Sequence, residues 1–307
     1  MCRLTCLSLK TGAEIPMPAQ TLLCLGNFDG VHLAHQALLR SAAEWRAQAC
    51  PQASVGVFCF RELPALFLDR NFQGTLCSLE DRLERYRVCG MEFAVLAEFS
   101  ELCDISAEDY VSEILMGRCN AVAVACGFNH RFGKGGKGSA PLLKRYFGER
   151  FYLQEPVLLD GETVSSSRIR LLLQEGKPEE AASLLTVPYA ITAPVLHGKA
   201  LGGQMGTPTV NQRFPIHALI PKRGVYVTAC DVDGKTYRGV TNVGCRPTVE
   251  NGGEINCETY LLDFSGDLYG RDLTVRFLKY LREEQKFDSA ELLWRQIAED
   301  IQAARDL

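Results

Sequence analysis

The stretch TLLCLGNFDGVHLAHQ (21–36) decides the fold of the first half of the chain. It opens with a continuous apolar run of five residues, which predicts a buried strand. A turn with Gly26 and Gly30 follows, and the amphipathic stretch from Leu33 to Gln48 predicts a helix directly after it. A buried strand that leads through a glycine-containing turn into a helix is typical of an α/β sheet.

The same alternation continues through the rest of the first half. Further apolar strands are expected at residues 54–60, 93–99, 121–126 and 151–159, and helices are expected from Ser78 and from about Ser106. Continuous apolar strands separated by helices indicate a parallel sheet that is covered on both faces.

The second half has a different pattern after about Pro188. GVYVTACDV and KTYRGVTNV flank Asp233-Gly234, which is a strong signal of a two-residue hairpin. DLTVRFLKYL (272–281) alternates apolar and polar residues, as a half-buried strand does. Short strands separated by turn residues predict a small antiparallel β-barrel.

A terminal helix and a domain boundary complete the predicted architecture. Ser289 is the expected N-cap of this helix, and Leu293, Ile297 and Ile301 recur every four residues along the side that would dock on the barrel. The change of pattern near Pro188 predicts two domains, residues 1–186 and 187–307.

Composition limits the partners. The chain has 307 residues and a net charge of −4, without the basic surplus of a nucleic-acid-binding protein. Its longest strongly apolar run, 121–126, is too short to cross a bilayer. The 13 cysteines include no CxxC pair, and MCRLTCLSLKTGAEIP lacks the apolar core of a signal peptide. We therefore expect a cytoplasmic protein with reduced thiols and small-molecule substrates, and no nucleic-acid or membrane partner.

Three unusual segments follow predicted strands of the first half. They are GNFDGVHLAH (26–35), GFNHRFGKGGKGS (127–139) and VSSSRIR (164–170). Ligands of open α/β sheets bind outside the carboxyl ends of the strands, so these segments are expected to form a site.

His32 and His35 are three residues apart and project from nearly the same side of a helix's first turn. The positive end of a helix favours a phosphate group, and two imidazoles beside it can donate hydrogen bonds to charge that develops on phosphorus. A metal-binding pair is an alternative, although no third ligand lies at a useful spacing. A capped helix with two surface histidines is the other alternative.

The two remaining segments allow more than one interpretation. The serines of SSSRIR either cap a helix or bind phosphate oxygens together with Arg168 or Arg170. The loop 133–138, rich in glycine and lysine, is either a flap that approaches phosphate or a flexible solvent loop.

HGKALGGQMGTPTVN (197–211) opens the second half. Its glycines allow the backbone to approach a polyphosphate closely, and they are Gly198, Gly202, Gly203 and Gly206. Thr209 and Asn211 share one face if this segment is extended, and their hydroxyl and amide oxygens suit Mg²⁺. A proline-containing turn with two capping side chains is the alternative.

Glu258 lies in CETYLLDF, an otherwise apolar strand. A positioned carboxylate can accept the proton of an alcohol that attacks the γ-phosphate of ATP. A glutamate that simply faces solvent from a barrel strand is the alternative.

Taken together, GNFDGVHLAHQ, GFNHRFG and SSSRIR resemble the nucleotidyltransferase half of bifunctional riboflavin kinase/FAD synthetases, a member of the HxGH nucleotidyltransferase superfamily. The resemblance implies a Rossmann-like fold. It implies that His32 and His35 contact the ATP phosphates, and that these further residues bind ATP: Gly26, Asn27, Phe28, Ser166, Ser167 and Arg168. Asp29 and Asn129 would line the FMN side. Two positions depart from the family pattern: Ala34 replaces the HxGH glycine, and FRELP (60–64) replaces an FxPHP-like stretch.

GTPTVN, NVGCRPT, CETYLLDFSGDLYG and LREEQKF resemble the riboflavin kinase module. The resemblance implies that Thr209 and Asn211 bind Mg–ATP, with Gly198, Gly202 and Gly206 around the nucleotide. Glu258 would be the base that takes the proton of the ribityl 5′-hydroxyl, and Arg282 would help to hold the flavin.

The expected function is therefore bifunctional. Riboflavin and ATP give FMN, and FMN and a second ATP give FAD and pyrophosphate, with Mg²⁺ in both steps. One alternative is a riboflavin kinase with an impaired adenylyltransferase half. Another is a non-catalytic flavin-binding protein with the same folds, for which a base beside a metal cradle has no use.

Overall fold

The computed structural model describes residues 3–7, 16–197, 209–245 and 255–307, with the backbone alone for 3–7 and Cys245. The chain forms two compact units, Met1–Ser166 and Ser167–Leu307.

The first unit contains a six-stranded sheet. Its strands are β1 (Arg3–Leu7), β2 (Thr21–Leu25), β3 (Ser54–Phe60), β4 (Phe93–Ala97), β5 (Ala121–Gly127) and β6 (Phe151–Gln154). Every neighbouring pair is parallel, in the order β1-β4-β3-β2-β5-β6. The predicted parallel α/β sheet is confirmed.

Helices follow the strands of this sheet. They are α1 (Leu33–Ala49), α2 (Ala65–Leu68), α3 (Leu79–Val88), α4 (Phe99–Leu102), α5 (Ala107–Asp109), which continues as a π-helix at Tyr110–Arg118, and α6 (Ala140–Phe147). The predicted helix starts at Ser78 and Ser106 are confirmed. These serines are the N-caps of α3 and α5, and each side chain accepts a hydrogen bond from the backbone N–H three residues on.

The apolar sequence of strand β2 matches its burial on both faces of the sheet. Leu22 and Cys24 belong to one apolar core, and Leu23 and Leu25 belong to a second core on the opposite face. Both faces of β2 are therefore buried, as expected for the centre of a parallel sheet.

Two features of the first unit differ from the prediction. The strand expected at 151–159 ends at Gln154, because Pro156 has no N–H group with which to continue the ladder. Leu158–Leu159 (β7) instead pairs with Glu162–Thr163 (β8) in a separate small hairpin. The edge strand β1 was not predicted.

The second unit contains the barrel. After two helices, α7 (Ser166–Glu175) and α8 (Pro178–Leu185), it has six strands: β9 (Ala190–Pro194), β10 (Thr209–Arg213), β11 (Gly224–Val232), β12 (Lys235–Cys245), β13 (Ile255–Leu261) and β14 (Asp272–Arg282). All neighbouring pairs are antiparallel, in the order β10-β13-β12-β11-β14-β9. A bridge between Leu196 and Asn211 brings the two edges together, so the barrel is nearly closed.

Most predicted details of the barrel are confirmed. Asp233 and Gly234 connect β11 and β12, with positive φ at both residues, as a two-residue hairpin of this type requires. Leu273, Val275 and Phe277 are buried along β14. The terminal helix α9 (Ala290–Arg305) begins at its N-cap Ser289, and Ile301 packs against an apolar cluster that contains Val227 of the barrel. Docking of Leu293 and Ile297 on the barrel stays a prediction.

Helices α7 and α8 group with the barrel. Leu173, Leu184 and Leu185 are buried, α8 packs against β14, and the Lys222 N–H donates a 2.9 Å hydrogen bond to the Leu173 carbonyl. The compact units thus divide at Ser166, and the functional boundary at residue 186 stays a prediction.

Candidate active sites

The strand order places two of the three predicted loops side by side. From β2 the sheet extends through β3 and β4 in one direction and through β5 and β6 in the other. The loops after β2 and β5 therefore leave neighbouring carboxyl ends at the point where the strand order reverses. Open α/β sheets bind their ligands in this crevice.

The turn after β2 has an unusual backbone. Phe28 (φ 52°) and Val31 (φ 37°) have positive φ values although neither is a glycine. The Phe28 ring lies over Gly26, where a Cβ atom would be 3.0 Å from the ring. Asn27 is exposed between them. Strained backbone of this kind is found at ligand-binding loops, where the surrounding structure must hold it in place.

His32 and His35 lie together at the start of α1, as predicted. Their rings stack with centroids 3.6 Å apart. His32 is the N-cap, and its Nδ1 atom accepts a hydrogen bond from the His35 backbone N–H at 3.4 Å. Because Nδ1 accepts, the proton of a neutral His32 ring is on Nε2.

The electrostatic surroundings keep His35 neutral. Burial, and then the neighbouring His32, hold the pKa of His35 well below its ordinary value of 6.5. Its Nδ1 atom is buried without a hydrogen-bond partner. At neutral pH the His35 ring is thus a hydrogen-bond donor and not a fixed cation, which suits contact with charge that appears only during a reaction.

Asp29 is buried, and its carboxylate has a structural contact. Oδ1 accepts a 2.9 Å hydrogen bond from the Leu76 N–H. The Asp29 carbonyl accepts a 3.0 Å hydrogen bond from the Ser166 hydroxyl, so the third predicted segment begins beside the first. The predicted contact of Asp29 with flavin stays a prediction.

Two arginines of α3, which the sequence did not single out, hold the same loop. Arg82 is buried and donates hydrogen bonds to the carbonyls of Asn27 (3.3 Å), Phe60 (3.1 Å) and Arg61 (2.5 Å). Arg85 donates to the Gly30 carbonyl at 2.6 Å. Guanidinium groups thus tie the loops after β2 and β3 to α3.

The loop after β5 is anchored. Phe132 and Gly138 pair across its base, and the Lys134 N–H donates to the Ile105 carbonyl at 2.7 Å. Lys134 also forms a salt bridge with Asp104. Of the two alternatives for 133–138, a freely flexible loop does not fit these contacts. Asn129 is exposed at the start of the loop.

His130, in the same loop, is a partly buried neutral imidazole that the sequence did not single out. Its ring stacks on Phe132 with centroids 5.7 Å apart, and its Nε2 atom is buried without a hydrogen-bond partner. Burial lowers the pKa of His130 from 6.5 to about 4.

His130→Phe should remove part of the acid sensitivity of the first unit. Below pH 6.5 the unfolded chain binds a proton at His130 that the folded chain excludes, so stability is lost as the pH falls from 6.5 towards 4. This loss of stability amounts to about 3 kcal/mol. The variant should not show it, because phenylalanine does not bind a proton. Trp45 is the tryptophan of the first unit. The stability of this unit at each pH is therefore measured by urea unfolding, monitored through Trp45 fluorescence in a Trp294→Phe background. Equal pH slopes with and without His130 would contradict the assignment.

Ser166, Ser167 and Arg168 begin α7, as predicted. Ser167 is exposed and Arg168 is half-buried. Their predicted contacts with phosphate stay predictions.

In the second unit, strand pairing brings the predicted kinase residues together. Asn211 of β10 lies opposite Glu258 of β13, and Glu258 lies opposite Asn242 of β12. Residues directly opposite one another share a face of the sheet, with Cβ atoms about 5 Å apart. We call Asn211, Glu258 and Asn242 the polar row.

Thr209 lies two residues before Asn211 in the extended strand β10, on the same face. Both residues lie in a strand, and Pro208, the proline of the alternative turn, lies outside the described residues. Their hydroxyl and amide oxygens beside the Glu258 carboxylate are hard ligands that fit Mg²⁺ and would hold it. Gly198, Gly202, Gly203 and Gly206 lie outside the described residues.

Arg282 has a protein partner that the sequence did not single out. Its guanidinium contacts both oxygens of Asp300 in α9, at 2.7 and 3.1 Å, and both side chains are largely buried. The pair fixes α9 against the end of β14. Contact of Arg282 with flavin stays a prediction.

Family models match both halves. The FAD synthetase model matches residues 14–168, and the riboflavin kinase model matches residues 185–307. No helix in the described part of the chain is long and apolar enough to cross a bilayer.

Curated relatives match almost the whole length. The bifunctional riboflavin kinase/FMN adenylyltransferase of Pseudomonas fluorescens is 35% identical, over 92% of this chain and 91% of that protein. The protein of the same name from Listeria monocytogenes is 32% identical, over 92% and 91%. A solved structure from Streptococcus pneumoniae, titled a macrolide-efflux protein, covers 99% of both chains with a TM-score of 0.88 and 28% identity.

Both predicted halves and their order are thus confirmed, and the alternatives of a kinase alone or of a non-catalytic flavin binder are not favoured. The chain converts riboflavin to FMN and FMN to FAD, with ATP and Mg²⁺. It belongs to the bifunctional riboflavin kinase/FMN adenylyltransferase family.

Proposed function

We propose that Glu258 is the general base of the kinase step. Its carboxylate accepts the proton of the ribityl 5′-hydroxyl while the hydroxyl oxygen attacks the γ-phosphorus of ATP, and ADP leaves. The observation that carries the proposal is the polar row, which places Glu258 directly opposite the proposed magnesium ligand Asn211. Magnesium, when bound, neutralises phosphate charge.

His32 and His35 are proposed to serve the adenylyl transfer. A phosphate oxygen of FMN attacks the α-phosphorus of ATP, and pyrophosphate leaves. The stacked imidazoles at the start of α1 donate hydrogen bonds to oxygens that gain charge in this step. Gly26, Asn27 and Phe28 shape the loop beside them, and Arg82 fixes that loop through the Asn27 carbonyl.

The other predicted ligands keep their proposed places. Ser166 would bind the triphosphate beside Asp29, whose carbonyl it already contacts. Asn129 is exposed after β5, where flavin would approach. Ser167, Arg168, Asp29 and Arg282 are proposed on the family resemblance alone.

Ala34→Gly tests the departure from the HxGH pattern. Ala34 lies in the first turn of α1 and is partly exposed, so its methyl group projects where glycine leaves space. We expect the glycine variant to form FAD from FMN faster, by up to about a hundredfold if the methyl group misplaces the α-phosphate. Equal rates in the two proteins would show that the pocket accommodates the methyl group.

The functional division proposed is 1–186 for adenylyl transfer and 187–307 for phosphorylation. A fragment 187–307 should make FMN but no FAD, because the whole polar row lies within it. A fragment 167–307 should make the same product and resist urea better, because it retains buried Leu173, Leu184 and Leu185. A folded 167–307 fragment without kinase activity would contradict the division.

Small molecules are the proposed partners: riboflavin, FMN and ATP, without nucleic acid or membrane. A reducing compartment such as the cytoplasm is proposed as the location. Ten cysteines in the described part of the chain are free thiols, which supports this proposal.

A further inference from the structure

Asn242 is a member of the polar row to which neither motif nor resemblance gave a role. It lies on β12, on the far side of Glu258 from Asn211. Its Cβ atom is therefore about 5 Å from that of Glu258 and on the same face of the sheet. A substrate hydroxyl group that reaches the Glu258 carboxylate is also within reach of the Asn242 side chain.

Glu284 orients the Asn242 amide group. The two side chains are joined by a 3.1 Å hydrogen bond from Asn242 Nδ2 to Glu284 Oε1. An ionised carboxylate only accepts hydrogen bonds, so the NH₂ group of the amide must face Glu284. The carbonyl oxygen Oδ1 therefore occupies the other arm of the amide.

Gly244 provides the space for Glu284. It lies two residues after Asn242, on the same face of β12, and a Cβ atom there would be 1.9 Å from Glu284 Oε1. The carboxylate thus rests directly on the strand, next to the amide that it orients. Glu284 and Gly244 together hold the Asn242 amide group in this orientation.

The Oδ1 atom of Asn242 is buried and has no hydrogen-bond partner. Buried polar atoms of folded proteins almost always have a partner, and each exception needs an explanation. A carbonyl oxygen that is held in one orientation beside a proposed general base is placed to accept a hydrogen bond from a hydroxyl group.

We propose that Asn242 binds a ribityl hydroxyl group of riboflavin through Oδ1, and that Glu284 is a positioning residue for Asn242. The inference rests on the proposed role of Glu258. The ribityl chain of riboflavin carries several hydroxyl groups. A hydrogen-bond acceptor next to the base can hold one of them, so that the reacting hydroxyl group lies beside Glu258.

Steady-state kinetics of the full-length chain test the proposal. Asn242→Ala should lower kcat/KM for riboflavin by about 10- to 100-fold and leave KM for ATP unchanged, because one hydrogen bond to the substrate is lost. Glu284→Ala should give a smaller loss of the same kind. The double variant should be no worse than Asn242→Ala alone, because Glu284 acts through Asn242.

Glu283→Gln is the matched control. Glu283 is the adjacent carboxylate, is exposed, and pairs with Lys222. The Glu283→Gln substitution should leave the riboflavin kinetics unchanged. Urea unfolding, followed through the fluorescence of Trp294 in a Trp45→Phe background, reports whether the second unit of each variant is folded.

Three outcomes would overturn the proposal: unchanged riboflavin kinetics in Asn242→Ala, an equal rise of KM for ATP, or independent losses that multiply in the double variant. Failure of the proposed function looks different. In that case Glu258→Gln keeps its kinase activity, whatever the Asn242 variants do.

Discussion

Glu258→Gln should lower the rate of riboflavin phosphorylation by about two to four orders of magnitude. Glutamine keeps the shape of the side chain and its place opposite Asn211 and Asn242, but it cannot accept the hydroxyl proton. The measurement is the initial rate of FMN formation from riboflavin and Mg–ATP.

Adenylylation provides the control for this variant. Glu258 lies in the second unit, so FAD formation from supplied FMN should continue near its original rate. Glu299→Gln, an exposed carboxylate on α9, should leave both rates unchanged. Loss of both activities in Glu258→Gln would indicate misfolding, and unchanged phosphorylation would exclude Glu258 as the base.

His32→Asn should lower FAD formation from FMN by about 10²- to 10³-fold, the usual cost of one hydrogen-bond donor to developing charge. Asparagine is among the preferred N-cap residues, so it can replace the contact of His32 Nδ1 with the His35 N–H. Helix α1 should therefore stay intact while the imidazole donor is removed. Rates of FAD formation at saturating FMN measure the effect.

Riboflavin phosphorylation should be unchanged in His32→Asn, since its proposed residues all lie in the second unit. Gln48→Asn, at the exposed end of the same helix, is the matched control. A His32→Asn protein that makes FAD at the original rate would show that the stacked imidazoles do not take part in the reaction.

Local signals in the sequence predicted most of the fold. The apolar run TLLCL predicted a strand buried on both faces, and Asp233-Gly234 predicted the hairpin between β11 and β12. Each of these two structures depends on a few adjacent residues. Strand β1 escaped prediction because its place depends on pairing with β4, more than 80 residues away.

The sites were predicted less completely, because contacts between distant residues decide them. Spacing placed His32 beside His35, one turn apart on a helix. No local pattern shows that Asn242 lies opposite Glu258, or that Arg82 reaches the Asn27 carbonyl. The sequence also gave no sign that Asp300 takes up the Arg282 guanidinium, because that pairing depends on how α9 docks.

Product analysis of the full-length protein tests the central claim most directly, namely that this one chain carries both activities. Riboflavin is incubated with excess Mg–ATP, and the flavins and nucleotides are separated by chromatography at successive times. FMN and ADP should appear first, followed by FAD and pyrophosphate as FMN accumulates. Riboflavin that stays unchanged, or FMN that accumulates without any FAD, would contradict the account.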